Sequence, residues 1–497
     1  MTELDRLRGE LDSIDDQIAA LFARRMEIGL QVGLYKKNSD FPVNDPGRED
    51  AVIKRIKGAM PPLSAGFAEA LMKTMFDASK ELQRRIKGDY FVIGKRLPHS
   101  WSPEIYLPLG LDYRIKELPD EESVKSFVNG KNFTGINVTI PYKQTVIPLL
   151  DDISDEAEAV GAVNTVVNRG GKLYGYNTDV GGMTEAILSM GVKIEGVTAA
   201  VFGGNGGTAH TARYVLKKLG AGEIITVSRK GEVNYENIYD YPVEFIVNAT
   251  PCGMYPEINS CPAEPGKFKN LKGVFDAVYN PLKTSLVEKT LALGVPALNG
   301  LTMLVEQGRL AYELFTGSKL DKTVTRKLVN SIELAKANVV IEGMPGSGKS
   351  SVGKETARLL GKNFIDTDEE IERAYGKSVP EIFAKEGEAF FRKLECEIVL
   401  KAASSNGVVI ATGGGAVLNS DNREALKHNG VIVYLKRGLD ELESAGRPLS
   451  LSRGVDKLYA ERSPIYEEFA DFSVENDGIE RAAKKIAEEF LKFPLKN

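Results

Sequence analysis

The sequence is poor in cysteine and histidine and lacks any long apolar run. Its 497 residues include 3 cysteines and 3 histidines. These residues are Cys252, Cys261, Cys396, His99, His210 and His428. They are too few and too scattered for a disulfide framework or a His/Cys metal cluster. No stretch approaches the ~18 apolar residues of a membrane-spanning helix, and the first residues carry charge where a signal peptide needs an apolar run. We therefore expect a cytoplasmic protein with no membrane partner.

A strongly basic tract is also absent. The net charge is −5 at pH 7, and acidic and basic residues are mixed along the chain. This pattern predicts no nucleic-acid partner. An apolar content of 42% is ordinary for globular protein. At about 150 residues per domain, the length predicts about three domains, each able to bury a core.

The strongest local signal is the stretch 343–350, which has the spacing G-x-x-x-x-G-K-[ST]. An apolar strand at 338–341 precedes it and a helical pattern at 351–360 follows, which is the context of a phosphate-binding loop. Lys349 is predicted to neutralise the β/γ-phosphates of ATP, and Ser350 to ligate Mg²⁺. Backbone N–H groups of the loop would face the phosphates. The residues expected to hold the nucleotide are Gly346, Ser347, Gly348 and Ser351. The alternative is a glycine-rich turn without a ligand.

The first 88 residues predict an all-helical domain. Apolar residues from Leu4 to Tyr35 recur at alternating three- and four-residue steps, which indicates one long helix with a heptad seam. At 1.5 Å per residue this helix is roughly 45–50 Å long, so we expect it to pack against a partner chain. Pro42 and Pro46 end this region, and Asp45-Pro46 opens a second helix to about Gly58. Ser64 is expected to cap a third helix to about Lys87.

Two features break the apolar pattern of these helices. Arg25 occupies a seam position, where a charge can set the register of a coiled coil or bind an anion. On the third helix Met72, Phe76, Ser79 and Gln83 share one face, which becomes polar halfway along. For these two polar residues alone, the alternative is a core stripe that tolerates them.

Eight residues of this segment together resemble the all-helical chorismate mutase family. They are Arg8, Arg25, Lys36, Asp45, Arg48, Glu49, Ser79 and Gln83. The resemblance implies an intertwined homodimer in which Arg8 reaches the partner's site. It also implies that Arg25, Arg48 and Arg8 bind two carboxylates, Lys36 and Gln83 the ether oxygen, and Glu49 the hydroxyl, with Arg25, Lys36 and Gln83 catalytic. Asp45 and Ser79 complete the substrate site. A pure dimerisation module is the alternative.

Residues 89–336 combine polar strand-end loops with a dinucleotide-binding pattern. Small hydroxyl and amide side chains cluster at 99–103, 135–143, 161–165 and 175–179, as suits a polyhydroxylated substrate, although each stretch alone could be a polar turn. An apolar strand at 198–202 leads into Gly204, Gly206 and Ala209, which fit G-x-G-x-x-A before a helix. The next strand, 224–227, ends in Ser228-Arg229-Lys230 without an acidic residue. Two cations at this position favour NADP over NAD, unless they are merely solvated.

This segment resembles shikimate dehydrogenase. The residues that carry the resemblance are Ser100, Ser102, Asn137, Thr139, Lys143, Asn164, Asp179, residues 248–250, Tyr279 and residues 300–307. The family implies NADP-dependent reduction of 3-dehydroshikimate, with Lys143 and Asp179 as the proton-transfer pair. The implied substrate residues are Ser100, Ser102, Asn137, Thr139, Asn164, Tyr279 and Gln307. The implied cofactor residues are Gly204, Asn205, Gly206, Gly207, Thr208, Ser228, Arg229, Lys230, Asn248, Thr250 and Gly300.

Three positions depart from the dehydrogenase pattern. Arg96 replaces a usual proline, Tyr106 a usual histidine and Ser228 a usual asparagine. They leave tolerance of quinate-like acids open. We expect a substrate lobe at about 89–190 and 308–336, and an NADP-binding lobe at about 191–307.

Residues 337–497 resemble shikimate kinase. The strand at 362–365 ends in Asp366-Thr-Asp368, and the strand at 408–412 leads into Gly413, Gly414 and Gly415. The family implies that Asp368, Arg392, the triple glycine and Arg462 hold shikimate. Asp368 would accept the proton of the attacking hydroxyl or orient it, and Asp366 would order Mg²⁺ through water. Arg447, in a lid shorter than usual, would spread the charge of the transferring phosphoryl group.

These resemblances predict a multidomain chain. Its parts are an all-α domain at 1–88, a two-lobed α/β dehydrogenase with a Rossmann half at 89–336, and an α/β P-loop kinase at 337–497. We expect a trifunctional enzyme of aromatic amino-acid biosynthesis that uses NADP, ATP and Mg²⁺. The alternative is a metabolite-sensing regulatory fusion with catalytically silent domains.

Overall fold

The computed structural model describes residues 2–38, 45–97, 100–255, 257–258, 260–439, 442 and 455–493, without the side chains of residues 34, 37–38, 62–63, 81–87 and 455. Pro42, His99 and Arg447 and the side chain of Gln83 therefore lie outside the described residues. The chain divides into two compact units, Met1–Thr178 with Gly308–Leu320, and Asp179–Gln307 with Asp321–Asn497. Within the described residues, none of the helices combines the length and the hydropathy needed to span a membrane.

The first unit begins with three helices, α1 (Glu3–Asn38), α2 (Pro46–Gly58) and α3 (Pro62–Lys87). The long first helix and the start of the second are confirmed. Asp45 caps α2, since its side chain accepts a hydrogen bond from the N–H of Arg48. The predicted cap of α3 is wrong, because the helix already begins at Pro62. Ser64 lies inside its first turn, and its hydroxyl donates to the carbonyl of Pro61.

A six-stranded sheet follows in the first unit, in the order β2-β1-β3-β5-β6-β4. Its strands are β1 (Tyr90–Gly94), β2 (Tyr113–Glu117), β3 (Gly135–Val138), β4 (Asp152–Ile153), β5 (Thr165–Arg169) and β6 (Lys172–Tyr176). The helices among them are α4 (Ser102–Tyr106), α5 (Glu121–Gly130) and α6 (Asp155–Val160), with a 3-10 turn at Ile147–Leu149. β5 is antiparallel to β3 and to β6, while β1 is parallel to β2 and β3. Ile93 of β1 and Ile136 of β3 are fully buried in its core.

The second unit contains a five-stranded parallel sheet in the order β11-β10-β9-β7-β8. Its strands are β7 (Thr198–Phe202), β8 (Glu223–Val227), β9 (Phe245–Asn248), β10 (Gly273–Asp276) and β11 (Ala297–Leu298). The helices are α7 (Thr178–Ser189), α8 (Gly207–Lys218), α9 (Ser285–Ala292), α10 (Leu301–Thr316) and α11 (Thr323–Lys336), with 3-10 turns at Ile238–Asp240 and Pro265–Lys267. The first residue of α7 and the last part of α10 belong to the first unit. The predicted strand, glycine loop and helix are confirmed as β7, the loop after Phe202, and α8.

A second parallel sheet of this unit has the order β13-β14-β12-β15-β16. Its strands are β12 (Asn338–Glu342), β13 (Asn363–Asp366), β14 (Val408–Ala411), β15 (Gly430–Lys436) and β16 (Phe472–Glu475). The helices are α12 (Lys349–Leu360), α13 (Thr367–Tyr375), α14 (Val379–Glu386), α15 (Glu388–Ala403), α16 (Ser420–Asn429), α17 (Val455–Phe469) and α18 (Ile479–Lys492), with a 3-10 turn at Ala416–Leu418. The strand order reverses direction at β12, so the loop after β12 lies at the switch point where α/β sheets bind ligands.

Candidate active sites

The first site lies where α1 crosses α3. Nη1 of Arg25 donates to the carbonyl of Met75 over 3.0 Å, and the guanidinium lies over the ring of Phe76. Burial lowers the pKa of Arg25 from its ordinary value. A Cβ at Gly29 would come within 2.8 Å of Oγ of Ser79, so a side chain there would push the two helices apart. Arg25 is thus a half-buried cation on a largely apolar face, and an anionic ligand there would offset the cost of its desolvation.

The other residues predicted for this site have different surroundings. Oε2 of Glu49 accepts from Nζ of Lys80 over 3.3 Å, so a cation that the sequence reading missed lies beside it. Arg8 and Arg48 are exposed and Lys36 is half-buried. The side chain of Asp45 accepts a hydrogen bond from the N–H of Arg48 as the cap of α2. The seam residues of α1, such as Leu11 at 60% and Leu21 at 70%, are exposed in the single chain.

In the first unit, buried amide and hydroxyl side chains form a hydrogen-bond network next to β3 and β5 of the six-stranded sheet. Oδ1 of Asn137 accepts from the hydroxyls of Tyr106 and Tyr113, at 2.8 and 2.6 Å, and its Nδ2 donates to Oγ1 of Thr165 over 3.0 Å. The two tyrosine rings stack with centroids 4.1 Å apart. Because its amide is satisfied within the protein, we infer that Asn137 holds the loops in place, and its predicted substrate contact stays a prediction. The substitution of Tyr106 for histidine thus supplies a hydroxyl to this network.

Asn164 is the centre of the same network. Its Oδ1 accepts from the N–H of Thr178 over 2.7 Å, and its Nδ2 donates to Oγ1 of Thr178 over 3.0 Å. The N–H of Val163 donates to the carbonyl of Lys143, so the backbone of the predicted catalytic lysine runs beside the segment that carries Asn164. The Lys143 side chain is half-buried.

The serine pair lies at the start of α4. Oγ of Ser100 donates to Oγ of Ser102 over 3.2 Å, and Ser102 is buried. Thr139 follows β3, and its N–H donates to the carbonyl of Ile93. Thr139 is therefore anchored to the end of β1, while Ser102 is the first residue of α4.

In the second unit, the glycine loop after β7 is held by a residue that the sequence reading missed. Nη1 of Arg213, on α8, donates to the carbonyl of Gly204 over 2.7 Å, and burial lowers the pKa of this guanidinium. The N-terminus of α8 begins at Gly207 and points its free N–H groups at the loop, as a pyrophosphate site requires. Asn205 is exposed and Thr208 half-buried.

The end of β8 carries the predicted ribose-phosphate residues. Ser228 is half-buried, whereas Arg229 and Lys230 are exposed. The N–H of Ser228 donates to the carbonyl of Val233, which fixes a tight turn that leaves both cations at the surface.

A buried carboxyl supports the Asn248–Thr250 segment. Oδ1 of Asn248 accepts from the N–H and the hydroxyl of Thr250, and its Nδ2 donates to Oδ1 of Asp276 over 2.9 Å. Burial raises the pKa of Asp276 to about 7. Asp276 was not found from the sequence, although its place at the end of an apolar strand is where such a residue is expected.

The remaining residues predicted for the dehydrogenase site lie on α7, on α10 and in the connections of the second unit. Asp179, on α7, is buried, and so is Gln307, whose Nε2 donates to the carbonyl of Leu304. Tyr279 is half-buried in the segment between β10 and α9. The N–H of Gly300 donates to the carbonyl of Val278, which ties the start of α10 to this segment.

The last site is a cavity of about 930 Å³ at the carboxyl ends of β12, β13 and β14. Twelve residues predicted for the kinase site line this cavity. They are Gly346, Gly348, Lys349, Ser350, Ser351, Asp366, Asp368, Arg392, Gly413, Gly414, Gly415 and Arg462. Ser347 is fully buried behind the loop, and Arg447 lies outside the described residues.

Two residues that were not predicted from the sequence hold the phosphate loop. Nδ2 of Asn476 donates to the carbonyl of Ser347 over 2.6 Å, and Nη1 of Arg437 donates to the carbonyl of Gly346 over 3.3 Å. Nζ of Lys349 donates to the carbonyls of Gly343 and Met344, both at 2.9 Å. The lysine is thus folded against its own loop.

The acidic side of the cavity is arranged around the end of β13. Oγ of Ser350 donates to Oδ2 of Asp366 over 2.6 Å, while Oδ1 of Asp366 accepts from the N–H groups of Asp368 and Glu369. Burial, with Asp366 and Glu395 nearby, raises the pKa of Asp368 to about 6. The described residues hold no group of three or more His, Cys, Asp and Glu side chains that could chelate a metal on its own.

The basic side of the cavity faces the triple glycine. Nη1 of Arg392 donates to Oε2 of Glu395 over 2.6 Å, and Nη1 of Arg462 donates to the carbonyl of Gly414 over 2.8 Å. A Cβ at Gly413 would come within 2.6 Å of Oδ1 of Asp368 and 2.9 Å of Oε1 of Glu395, so only glycine fits between the two carboxyl groups. Nε of Arg462 is buried and has no hydrogen-bond partner among the described residues.

Family models match four parts of the chain. They describe chorismate mutase type II at residues 7–84, the shikimate dehydrogenase substrate binding domain at 92–166, the shikimate 5'-dehydrogenase C-terminal domain at 300–329, and shikimate kinase at 345–494.

Individual relatives agree with the middle of this arrangement. Shikimate dehydrogenase (NADP(+)) of Clostridium perfringens (strain ATCC 13124) is 37% identical over 264 residues, which cover 49% of this chain and 97% of that protein. The enzyme of the same description from Methanococcus maripaludis is 32% identical over 268 residues, 48% of this chain and 95% of that protein. A solved chorismate mutase/shikimate 5-dehydrogenase fusion protein from Clostridium acetobutylicum is 30% identical, covers 50% of this chain and 97% of its own, and has a TM-score of 0.47.

Proposed function

Because the chain belongs to the shikimate dehydrogenase (NADP(+)) family, we propose the following roles for the residues of its three sites. The chain is a trifunctional enzyme of the shikimate pathway, since it also carries a chorismate mutase domain and a shikimate kinase domain. The three activities are reduction of 3-dehydroshikimate, phosphorylation of shikimate and rearrangement of chorismate to prephenate.

For the dehydrogenase we propose that Lys143 and Asp179 handle the proton of the substrate hydroxyl. NADPH, when bound, supplies a hydride to the carbonyl carbon of 3-dehydroshikimate. The ammonium of Lys143 would give its proton to the developing alkoxide, and the carboxylate of Asp179 would keep the lysine charged. The hydrogen bonds that tie Lys143 and Thr178 to the segment around Asn164 support this assignment.

The other dehydrogenase residues would bind the substrate and the cofactor. Ser100, Ser102, Thr139, Asn164, Tyr279 and Gln307 would hold the hydroxyls and the carboxylate. The loop from Gly204 to Thr208 would hold the pyrophosphate. Arg229, Lys230 and Ser228 would hold the 2′-phosphate, because their turn leaves both cations exposed directly after β8.

For the kinase we propose that Arg392 and Arg462 bind the carboxylate of shikimate and that Asp368 orients the attacking hydroxyl. The observation that carries this assignment is the shared cavity, in which both guanidiniums, Asp368 and Lys349 face one space. Lys349 would exchange its loop carbonyls for phosphate oxygens when ATP binds.

The Ser350 and Asp366 pair fits Mg²⁺. Mg²⁺ keeps several waters and takes one or two protein oxygens together with phosphate oxygens, so the absence of a larger acidic cluster is no obstacle. Magnesium, when bound, would neutralise the charge of the β- and γ-phosphates. We propose that Oγ of Ser350 contacts it directly and that Asp366 orders its water.

For the mutase we propose a homodimer through α1. Apolar seam residues stay exposed along the whole helix in the single chain, and a second copy would bury them. Arg25, Arg48 and Arg8 of the partner subunit would hold the dianion, with Lys36 and Gln83 at the ether oxygen and Glu49 at the hydroxyl. Asp45 would act indirectly, as the cap that positions Arg48.

We also propose the domain boundaries at 88/89 and 336/337, the two lobes of the dehydrogenase and a cytoplasmic location.

A sensing role without turnover has no need of Lys143, Asp368 and Arg25, and all three are retained. The test is a set of three assays on the purified full-length chain: NADPH oxidation with 3-dehydroshikimate, ADP release with shikimate and ATP, and prephenate formation from chorismate. An activity missing under all conditions would overturn the corresponding assignment.

A further inference from the structure

A short loop of the second unit is held from two sides. We call residues 279–285 the docking loop; it connects β10 to α9 and carries Tyr279. The carbonyl of Leu282 accepts a hydrogen bond from Nδ2 of Asn299, while the N–H of Leu282 donates to Oδ1 of Asn429 over 2.8 Å. Leu282 is 3% exposed and Asn429 4%, so neither bond can be replaced by solvent without opening the structure.

One set of these contacts comes from the dehydrogenase sheet. Oγ1 of Thr284 donates to Oδ2 of Asp276 over 2.7 Å, and the other oxygen of Asp276 accepts from Asn248. Asn299 immediately precedes Gly300, whose N–H donates to the carbonyl of Val278. The docking loop therefore shares its hydrogen bonds with segments that we have assigned to the cofactor.

The other set comes from one helix of the kinase domain, α16. The N–H of Lys283 donates to the carbonyl of His428 over 2.8 Å, and Oγ of Ser285 donates to Oε1 of Glu424 over 2.9 Å. Nδ1 of His428 lies 3.5 Å from Oε2 of Glu288 on α9. Burial lowers the pKa of His428 to about 4, so the imidazole is neutral at ordinary pH.

Apolar packing joins the same surfaces. Ile258, which belongs to the chain between β9 and β10, is 4% exposed within the core cluster of the kinase domain, next to residues of α16 such as Leu426. A single residue, Ala337, separates the last dehydrogenase helix α11 from the first kinase strand β12. Nζ of Lys362 donates to the carbonyls of Leu334 and Ala335 at the end of α11. The kinase domain thus contacts the end of α11 at this junction and, separately, the docking loop.

We propose that Asn429 and Glu424, residues of the kinase domain, are positioning residues for the dehydrogenase reaction. They act through the docking loop, which holds Tyr279 where the substrate needs it. A buried N–H that loses its acceptor is costly, so without Asn429 the loop adopts other conformations to satisfy Leu282. Substrate binding must then restore the competent conformation, and the apparent affinity falls by the fraction of molecules that hold it. The inference rests on the dehydrogenase assignment above.

The test compares substitutions at the two ends of these hydrogen bonds in the full-length chain. We expect Asn429→Ala to raise the KM for 3-dehydroshikimate about tenfold and to change kcat less than about twofold, because the loop positions substrate and does not react. The KM values of the kinase for shikimate and ATP should stay within about twofold of the parent. Glu424→Ala should act in the same direction, whereas Glu424→Gln, which keeps an acceptor for Ser285, should restore the parent KM.

Asp421→Ala is the matched control, because Asp421 is an exposed carboxylate on the same helix and, among the described residues, it has no hydrogen bond to the docking loop. An unchanged dehydrogenase KM in both Asn429→Ala and Glu424→Ala would overturn the proposal. So would a parallel fall of dehydrogenase and kinase activities with a lower unfolding temperature, since that result indicates a merely structural interface. A parent chain that fails to oxidise NADPH with 3-dehydroshikimate would instead overturn the dehydrogenase assignment itself.

Discussion

Ser350 and Asp366 are joined by a hydrogen bond of 2.6 Å from the serine hydroxyl to Oδ2, while Oδ1 of the same aspartate caps helix α13. One carboxylate therefore serves two purposes, and a substitution can separate them. Asp366→Asn keeps an oxygen for the cap, because asparagine is as good a cap as aspartate. It removes the charge that would order the water of Mg²⁺.

We therefore expect Asp366→Asn to leave the unfolding temperature nearly unchanged and to raise the Mg²⁺ concentration for half-maximal kinase activity by about 10- to 100-fold, as is typical of outer-shell residues. A magnesium titration at saturating shikimate measures this shift. An unchanged requirement would mean that Asp366 only caps the helix.

Asp368→Asn should abolish phosphoryl transfer. The carboxylate lines the same cavity as Arg392 and Arg462, and its replacement removes the group that we propose orients or deprotonates the attacking hydroxyl. We expect kcat of the kinase to fall by about 10²- to 10⁴-fold. Glu369→Gln is the control, since Glu369 is the exposed neighbour that pairs with Lys354. A kinase rate within a few-fold of the parent would contradict the role given to Asp368.

Lys143→Ala should cut dehydrogenase turnover without touching the kinase. The loss of a positioned proton donor costs about 10²- to 10⁴-fold in kcat. Lys172→Ala, at an exposed lysine on β6 of the same unit, is the matched control. NADPH oxidation at saturating 3-dehydroshikimate gives the comparison. Turnover equal to that of the parent would remove Lys143 from catalysis.

Negative charges introduced along α1 should break the proposed dimer. Leu11 and Ile18 are exposed seam residues at 60% and 47%, and aspartates there would place like charges in the proposed interface. We expect the double variant Leu11→Asp/Ile18→Asp to halve the mass measured by light scattering and to lose mutase activity, because Arg8 could no longer reach a second subunit. Leu491→Asp, at a residue 58% exposed on the last helix, should leave the mass unchanged. An identical mass for parent and double variant would rule out the α1 interface.

Glu342 should make the kinase domain lose stability as pH rises. Burial raises the pKa of this carboxyl to about 9 from an ordinary value of 4.5, although Lys349, Lys427 and Arg423 oppose the shift. Neither of its oxygens has a hydrogen-bond partner among the described residues. The folded state holds the proton between these two pH values whereas the unfolded state releases it, so the free energy of unfolding falls as pH rises through that window.

Glu342→Gln removes this titration while keeping the shape of the side chain. We expect parent and variant to have similar unfolding temperatures at pH values near 4.5, and the variant to become progressively more stable than the parent toward pH 9. Thermal unfolding across this range measures the difference. A constant difference at every pH would show that Glu342 does not titrate on unfolding.

The elements that the sequence predicted well are those whose signal is local. The spacing of residues 343–350 and the apolar residues before them fix a strand, a loop and a helix, and the structure has all three. The long helix α1 and the Asp45-Pro46 start of α2 have equally local signals, and both are confirmed. The start of α3 was misplaced because Ser64 and Pro62 compete for it, and the proline, which has no N–H to satisfy, opens the helix.

The residues that the sequence missed come from distant parts of the chain. Asp276 lies 28 residues after Asn248, and Asn476 lies 129 residues after Ser347, yet each forms a hydrogen bond with that partner. Such contacts depend on strand order, which a single sequence does not reveal. The amide of Asn137 is another example, because its two tyrosine partners become visible only when α4 and β2 are brought against β3.

The most direct test is to incubate the full-length chain with 3-dehydroshikimate, NADPH, ATP and Mg²⁺ and to measure NADPH oxidation, ADP release and shikimate 3-phosphate together. We predict that the parent forms shikimate 3-phosphate with equal amounts of NADPH oxidised and ADP released. Lys143→Ala should stop both, and Asp368→Asn should stop only ADP release and leave shikimate. Shikimate 3-phosphate formed at the parent rate by either variant, or no NADPH oxidation by the parent, would contradict it.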